Sequence, residues 1–470
     1  MGMGMGMEME MEMERVALSW TRIWNRERQG IAGRMSANQC GSGGKGHWGR
    51  TLTARTGIGR KVTVALSAKG SNFVLGGKST AFNAEGAYIR CHLTIPVFGK
   101  DVFYDCPNEI FQQQKQFVKF GLTTENFRQY VGMIEDEVDE FIEKSARFRT
   151  YQQNDINEWG NFDAIAAMAE ITILTASRTL QGKKVCECLN KSFSQLYIDL
   201  DSGFTPLNFL FANLPLESYC KRDHAQKEIR DFYLRDHEIS HIMIALLMAG
   251  QHTSSATLAW TMLHLTSRPD VADALYAKQV KRFANPDGSL PSMSYEDLRH
   301  LPVLDSCIRE TLRVHPPIHS IMRQVREDVP VLPTLATPNK DGGIYVMPKD
   351  TYVLVSPLIS QIDARIWKDG AAVAAQALSA YTDEGGEKVD YRFGAVSKPY
   401  QPLGTGKHRC LGEQFAYLQI GTVIATIIRR VEVYLQRLER KRAPNFPDDP
   451  DPHHTKPLNI KSCLTICNCT

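Results

Sequence analysis

The sequence contains no apolar run near the roughly 18 residues that a bilayer-spanning helix needs. Its longest, IMIALLMA from Ile242 to Ala249, suits a core helix. No C-x-x-C pair occurs among the eleven cysteines, and an odd number cannot all pair. Neither a disulfide framework nor a zinc ribbon is indicated, and a reducing compartment is expected. Charge of one sign is also lacking: 55 Lys and Arg face 52 Asp and Glu, a net charge of +3. That balance gives no basic footprint, and no nucleic-acid partner is expected. Internal repeats and linkers are absent beyond residue 61.

What is present is 470 residues, 43% apolar and 23% charged, enough for one large core. Residues 1–60 open with MGMGMGMEMEMEME, have no signal-peptide h-region, and are rich in Gly, Arg and Ser, so poor order is expected there. Residues 61–445 read as one mainly α domain with small β-sheets, and residues 446–470 as an atypical tail. Phe127, Tyr130, Val131, Ile134, Val138, Phe141 and Ile142 form one helical stripe. A second, more apolar helix ends at Gly182, and a third runs from about Asp236 to a stop at Pro269. GIYVMPKDTYVLVS reads as two short strands around a Pro-Lys-Asp turn. A last helix, from about Gly412 to Val431, follows a glycine-rich loop.

Three constellations carry chemistry. In PLGTGKHRCLGEQ, Gly404, Gly406 and Gly412 permit tight turning, while Lys407, His408 and Arg409 should favour a Cys410 thiolate, which wants an electrophile or a metal. Taken alone, a cysteine in such a turn is more often structural. Gly250, Thr253 and Ser254, inside the long helix, should bend it and open a polar notch, although a tolerated glycine is the blander reading. Glu310 and Arg313 pair at i, i+3 before Pro316, which by itself describes a solvated surface pair.

The order of these three resembles the haem-thiolate monooxygenases, the cytochromes P-450. The stretches LLMAGQHTSS, PVLDSCIRETLR, HPPIHSIMR and GEQFAYLQIGTVI are similar to fungal sterol 14α-demethylases, and the resemblance covers most of residues 61–440. It implies a helix-rich domain around a buried haem b, with Cys410 as the axial thiolate that favours O–O cleavage. Gly404 and Gly406 would let the loop pack beneath the porphyrin. Tyr88, Tyr104, Lys115, Arg323 and His408 would hold the propionates. His252 and Thr253 would relay protons to reduced O₂. Phe98, Phe204, Phe209, Ala249, Ile318 and Ile321 would line a sterol cavity, with His319 at its mouth. Glu310 and Arg313 become a buried structural pair. The implied activity is oxidative removal of a sterol 14α-methyl group as formate, in ergosterol biosynthesis. Its implied partners are O₂, an NADPH-cytochrome P-450 reductase and a membrane surface. The implied location is the endoplasmic reticulum membrane, although the chain shows no counterpart of the family's apolar anchor.

Departures from the pattern shape further expectations. Leu403 stands where the family usually has Phe, and much of one lid helix is missing at Arg235–Asp236. After Asp369 the P-x-R-W-type segment is absent, so Arg313 is expected to lack its second partner and the chain to hold haem poorly. The competing class is a non-catalytic or defective haem- or sterol-binding relative of the same fold. A zinc reading on Cys463, Cys467 and Cys469, with His453 and His454 nearby, fits no four-ligand spacing.

Overall fold

Capped helices with apolar stripes supply the frame, in a computed structural model. It describes residues 51–55, 61–65, 67–78, 80–88, 94–102, 106, 108–145, 160–183, 186, 195–197, 199–200, 215–233, 237–335, 344–363, 366–367, 400–406, 409–435 and 463–468. Tyr104, Phe204, Phe209, Lys407, His408, His453, His454 and Cys469 lie outside the described residues.

The chain begins with β1 (Thr51–Arg55), β2 (Lys61–Ala65), α1 (Ala68–Leu75), β3 (Phe82–Asn83), α2 (Glu85–Tyr88), α3 (Ile95–Phe98) and α4 (Asn108–Gly121). Then come α5 (Thr124–Lys144), β4 (Gly160–Asp163), α6 (Ala164–Leu180), α7 (Glu217–Tyr233) and α8 (His237–Ser267). There follow α9 (Pro269–Phe283), α10 (Tyr295–Leu298), α11 (Pro302–Val314), β5 (Ile321–Val325), β6 (Val329–Pro330) and β7 (Val346–Met347). The last elements are β8 (Tyr352–Val355), α12 (Pro357–Gln361), α13 (Glu413–Arg430), β9 (Val431–Leu435) and β10 (Cys463–Asn468).

Local chemistry sets the helix ends. The Thr123 hydroxyl accepts from the Asn126 N–H at the start of α5 (3.3 Å), and the Asp163 carboxylate accepts from Ile165 and Ala166 at the start of α6. Two residues beyond α6, Gly182 takes φ 93°, a conformation that favours glycine. All seven stripe residues of α5 are buried, in one cluster that α6, α8, α11 and α13 share. Hydroxyls inside this cluster turn back on their own helices: Thr172 donates to Met168 O (2.6 Å) and Thr422 to Leu418 O (2.8 Å). Gln419 of α13 donates to Thr172 O and to Thr175 Oγ1 of α6 (3.1 and 2.8 Å), a polar tie inside an apolar interface.

The main sheet has the order β1-β2-β8-β5-β3; β2 and β8 run parallel, and the other pairs are antiparallel. Because β1 pairs along its length with β2, the sheet takes in part of the segment that composition marks as poorly ordered. The two strands expected around Pro348-Lys349-Asp350 are present, and Asp350 turns the chain at φ 60°. They do not pair with each other: β7 joins β6, whereas β8 lies between β2 and β5. In the third sheet β10, from the atypical tail, lies between β4 and β9. No helix among the described residues is long and apolar enough to cross a membrane.

A buried histidine at the end of α8 makes the packing sensitive to pH. Near the end of α8, the His315 ring stacks on Trp260 at 3.7 Å between centroids and lies 5.2 Å from His264. Burial, with a smaller contribution from His315, lowers the His264 pKa from 6.5 to about 4. The folded state therefore keeps the ring neutral where an unfolded chain would protonate it. Stability from this site is whole above pH 6.5 and falls as pH drops toward 4, by roughly 3 kcal/mol in all. Thermal midpoints between pH 7.5 and 4.5 should show a steeper acid loss for the parent protein than for His264→Phe. Parallel curves would remove His264 as a source.

Candidate active site

The long helix α8 carries the first constellation, and it runs unbroken through Gly250. Among the described residues, and apart from its own helix backbone and chain neighbours, no atom lies within 4 Å of where a Gly250 Cβ would stand, so the glycine leaves open space. The Thr253 hydroxyl donates to the Ala249 carbonyl (2.8 Å). Thr257 donates to Thr253 O (2.8 Å), and Thr261 to Thr257 O (2.7 Å), with Thr311 of α11 3.2 Å away. The notch expected here carries a ladder of hydroxyls turned back onto their own helix. Thr257 was legible only as the residue one turn past Thr253.

Glycine geometry builds the cysteine loop. Gly404 and Gly406 take φ 71° and 70°, where a side chain is strained. A Cβ on Gly406 would also overlap the Leu75 carbonyl, so the loop closes directly on the end of α1. Gly404 N–H donates to Gln401 O (3.1 Å), Arg409 N–H to Gly406 O (3.2 Å) and Cys410 N–H to Leu403 O (3.0 Å). This leaves Cys410 as a free, exposed thiol three residues ahead of α13.

The electrostatics differ from the sequence expectation. Arg409 gives both arms of its fork to Glu413, Nε to Oε2 at 2.6 Å and Nη2 to Oε1 at 2.7 Å. Surrounding protein pushes the Cys410 thiol above its ordinary range, the Gly412 N–H opposes this, Glu413 adds to it, and Arg409 opposes it weakly. Of the three cations expected to favour a thiolate, Arg409 is tied to its i+4 neighbour and favours it only weakly, while Lys407 and His408 lie outside the described residues. A coordinating metal would supply that drive, because it deprotonates a bound thiol outright.

The third constellation is buried: Glu310 is 3% and Arg313 1% exposed. Arg313 donates to both Glu310 oxygens (Nε 2.8 Å, Nη2 2.7 Å) and, through Nη1, to the Gln361 carbonyl (2.7 Å). The expectation of an unsatisfied Arg313 is therefore overturned, since a backbone carbonyl from α12 completes its fork. Trp367 covers the guanidinium, 5.0 Å from its ring centroid. The fully buried Gln361 side chain donates to the Leu312 and Arg313 carbonyls and accepts from the Gln401 N–H (2.8 Å). Gln401 in turn donates to Asn72 Oδ1 of α1 (2.6 Å). One amide thus links the ion pair to the chain that enters the cysteine loop. Sequence reading missed Gln361 and Gln401.

One cleft brings the first and second constellations together. Thr253, Ser254 and Thr257 of α8 face Leu403 of the cysteine loop and Ala416, Tyr417 and Ile420 of α13, with Leu312 and Pro317 closing one side. Its lining is almost wholly carbon. Leu403, the departure from the family's Phe, is part of that wall. Other expected residues scatter. Tyr88 ends α2, Ala249 is exposed on α8, and His252 is half-buried. Ile318 is 52% exposed. His319 places Nδ1 2.7 Å from Ser320 Oγ, and its carbonyl accepts from Ser356. Ile321 packs on the apolar cluster of the main sheet. Phe98 packs between two clusters on α8.

These donors fit a haem. The cleft is apolar, and the cysteine tied to its wall offers a free sulfur. Lys115 is buried over the Phe111 ring (4.4 Å), and burial, with Lys119, draws its ammonium pKa down. Arg323 is 5% exposed and donates to the neighbouring Met322 carbonyl, with no carboxylate among the described residues in salt-bridge reach. A buried guanidinium so placed suits an anionic group.

Comparison with known proteins agrees. Residues 184–461 match the family model Cytochrome P450. The chain is 45% identical over 445 residues to the lanosterol 14-alpha demethylase of Mycosarcoma maydis, covering 83% of this chain and 77% of that one. It is 40% identical to a sterol 14-alpha demethylase of Aspergillus fumigatus (80% and 78% covered) and 39% identical to the eburicol 14-alpha-demethylase of Uncinula necator (79% and 76%). Retinoic acid-bound cyanobacterial CYP120A1 superposes with a TM-score of 0.67 at 16% identity, covering 89% of this chain and 92% of that one, which is a likeness of fold. A glycine-built cysteine loop whose Leu403 shares a cleft wall with a threonine ladder is thus found in a chain that belongs to the cytochrome P450 family, among its fungal sterol 14-alpha demethylases.

Proposed function

We propose that the chain removes the 14α-methyl group of a lanosterol- or eburicol-type sterol, with O₂ and electrons from an NADPH-dependent reductase. The observation that carries this reading is the single cleft shared by the Thr253 stretch of α8 and the cysteine loop. The names of the relatives supply the substrate class.

Cys410 Sγ is the proposed iron ligand, and Arg323 and Lys115 are the proposed propionate partners, with Tyr88, Tyr104 and His408 assigned by the resemblance. The bound haem would supply oxygen activation, tuned by the thiolate. The chain's own residues do the rest. Gly404 and Gly406 hold the cysteine in place. Thr253, at the cleft wall, and His252, its neighbour in sequence, hold and pass protons. Phe98, Phe204, Phe209, Ala249, Ile318 and Ile321 bind the sterol by apolar contact, with His319 at the entrance. Docking at the endoplasmic reticulum membrane, where the reductase would be met, belongs to the same proposal. Reconstitution with reductase and lanosterol or eburicol tests it. Release of formate with a 14,15-unsaturated sterol is expected, and a normal haem-thiolate spectrum without product would overturn it.

Thr253→Ala should separate proton delivery from binding. Haem and sterol should still bind, while product formed per NADPH consumed falls about tenfold or more. Thr253→Ser, which keeps the hydroxyl, should recover most of the coupling. Unchanged coupling in the alanine variant would dismiss the role.

A further inference from the structure

The turn that follows Phe98 holds two left-handed backbone positions, Gly99 at φ 95° and Asp101 at φ 63°. Such conformations persist where surrounding contacts over-determine them. Here two helices do so. His241, in the first turns of α8, places Nδ1 3.0 Å from the Lys100 carbonyl. Gln114 of α4 donates Nε2 to the next carbonyl, that of Asp101, at 2.7 Å. The His241 ring lies against Gly99 so closely that a Cβ there would overlap three of its atoms.

The turn in this way fixes the ring that precedes it. Phe98 packs on one side against the cluster containing Val97, Ile244 and Leu247, and on the other against Val102, Val118, Ile242 and Ala245. Both clusters include α8 residues within one turn of His241, Ile244 in one and Ile242 in the other. Loosening the turn would free Phe98 to leave this seam.

We infer that His241 is a positioning residue for substrate selection, a clamp that pins the 98–101 turn to α8 and so sets the orientation of the Phe98 ring toward the sterol. The sterol part rests on the function proposed above; the clamp rests on the contacts alone. Nothing in the sequence singled out this histidine, because its partner is a backbone carbonyl far away in the chain.

The test uses the haem-loaded, full-length protein and two readouts. In His241→Ala, amide hydrogen exchange across residues 95–102 should rise, and the lanosterol-induced Soret shift should need about tenfold more sterol, the loss expected of one hydrogen bond and its packing. His241→Asn puts an amide nitrogen near the Nδ1 position and should restore both, whereas His241→Gln, with its nitrogen displaced, should not. Gly99→Ala should act like His241→Ala by displacing the ring. Unchanged exchange at 95–102 in His241→Ala, or equal rescue by Asn and Gln, would overturn the clamp. A parent protein with no sterol-induced shift would instead remove the sterol reading, with the exchange data still deciding the clamp.

Discussion

Cys410→Ser should abolish the long-wavelength Soret band of the reduced, CO-bound protein. A serine hydroxyl stays protonated at neutral pH and is a poor, hard ligand where a soft thiolate is wanted. Among the free cysteines with described environments, Cys186 and Cys307 cannot take over. Both are buried, and burial pushes each thiol up to about 12. The substitution should leave the fold in place, because the Cys410 backbone bond to Leu403 does not involve the sulfur. Far-UV circular dichroism should therefore match the parent while the thiolate spectrum is lost. A retained band would show that another group binds the iron.

Glu310→Leu should be the most damaging single change to stability. It takes both carboxylate acceptors, and their countercharge, away from the Arg313 guanidinium in the core. Breaking a buried pair in this way costs about 3–5 kcal/mol, a large share of the roughly 5–15 kcal/mol that holds a domain together. Gln361→Leu should cost less, since it orphans neutral groups, the Leu312 and Arg313 carbonyls and the Gln401 N–H, at about 1–3 kcal/mol each at most. The two variants should differ in kind as well. Gln361→Leu cuts the link to the cysteine loop, so it should shed thiolate-bound haem before it unfolds, whereas Glu310→Leu should lose haem and fold together. Denaturant titrations followed at the Soret band and by circular dichroism would show one split and one coincident transition. Coincident transitions in both would refute the linking role of Gln361. The parent protein, with its Arg313 fork completed, should retain haem stably, contrary to the expectation from the missing P-x-R-W-type segment.

The helices were the legible part of this fold, because their information is local. The α5 stripe repeats every turn, and Thr123 and Asp163 mark helix starts in chemistry visible from a few neighbours. The loop glycines were legible for the same reason: positive φ has a residue signature. Contacts between distant segments were not. No period announces that the tail strand pairs with residues 160–163, or that Gln361 lies beneath Gln401. The charge reading at Cys410 fell short at Arg409 for a different reason. Arg409 and Glu413 stand at i, i+4, a spacing at which opposite charges meet on a helix, and Arg409 is tied to that nearer acid instead of the sulfur.

The third sheet also bears on how the chain is made. Gly160–Asp163 finds its β-partner in Cys463–Ile466, hundreds of residues later. At roughly 5–20 residues per second of synthesis, that partner emerges on the order of tens of seconds after β4. During that interval the strand feeding α6 presents open backbone donors and acceptors beside a helix that is already competent to form, the kind of edge that invites pairing with another chain. Misassembly during expression should therefore begin at residues 160–163.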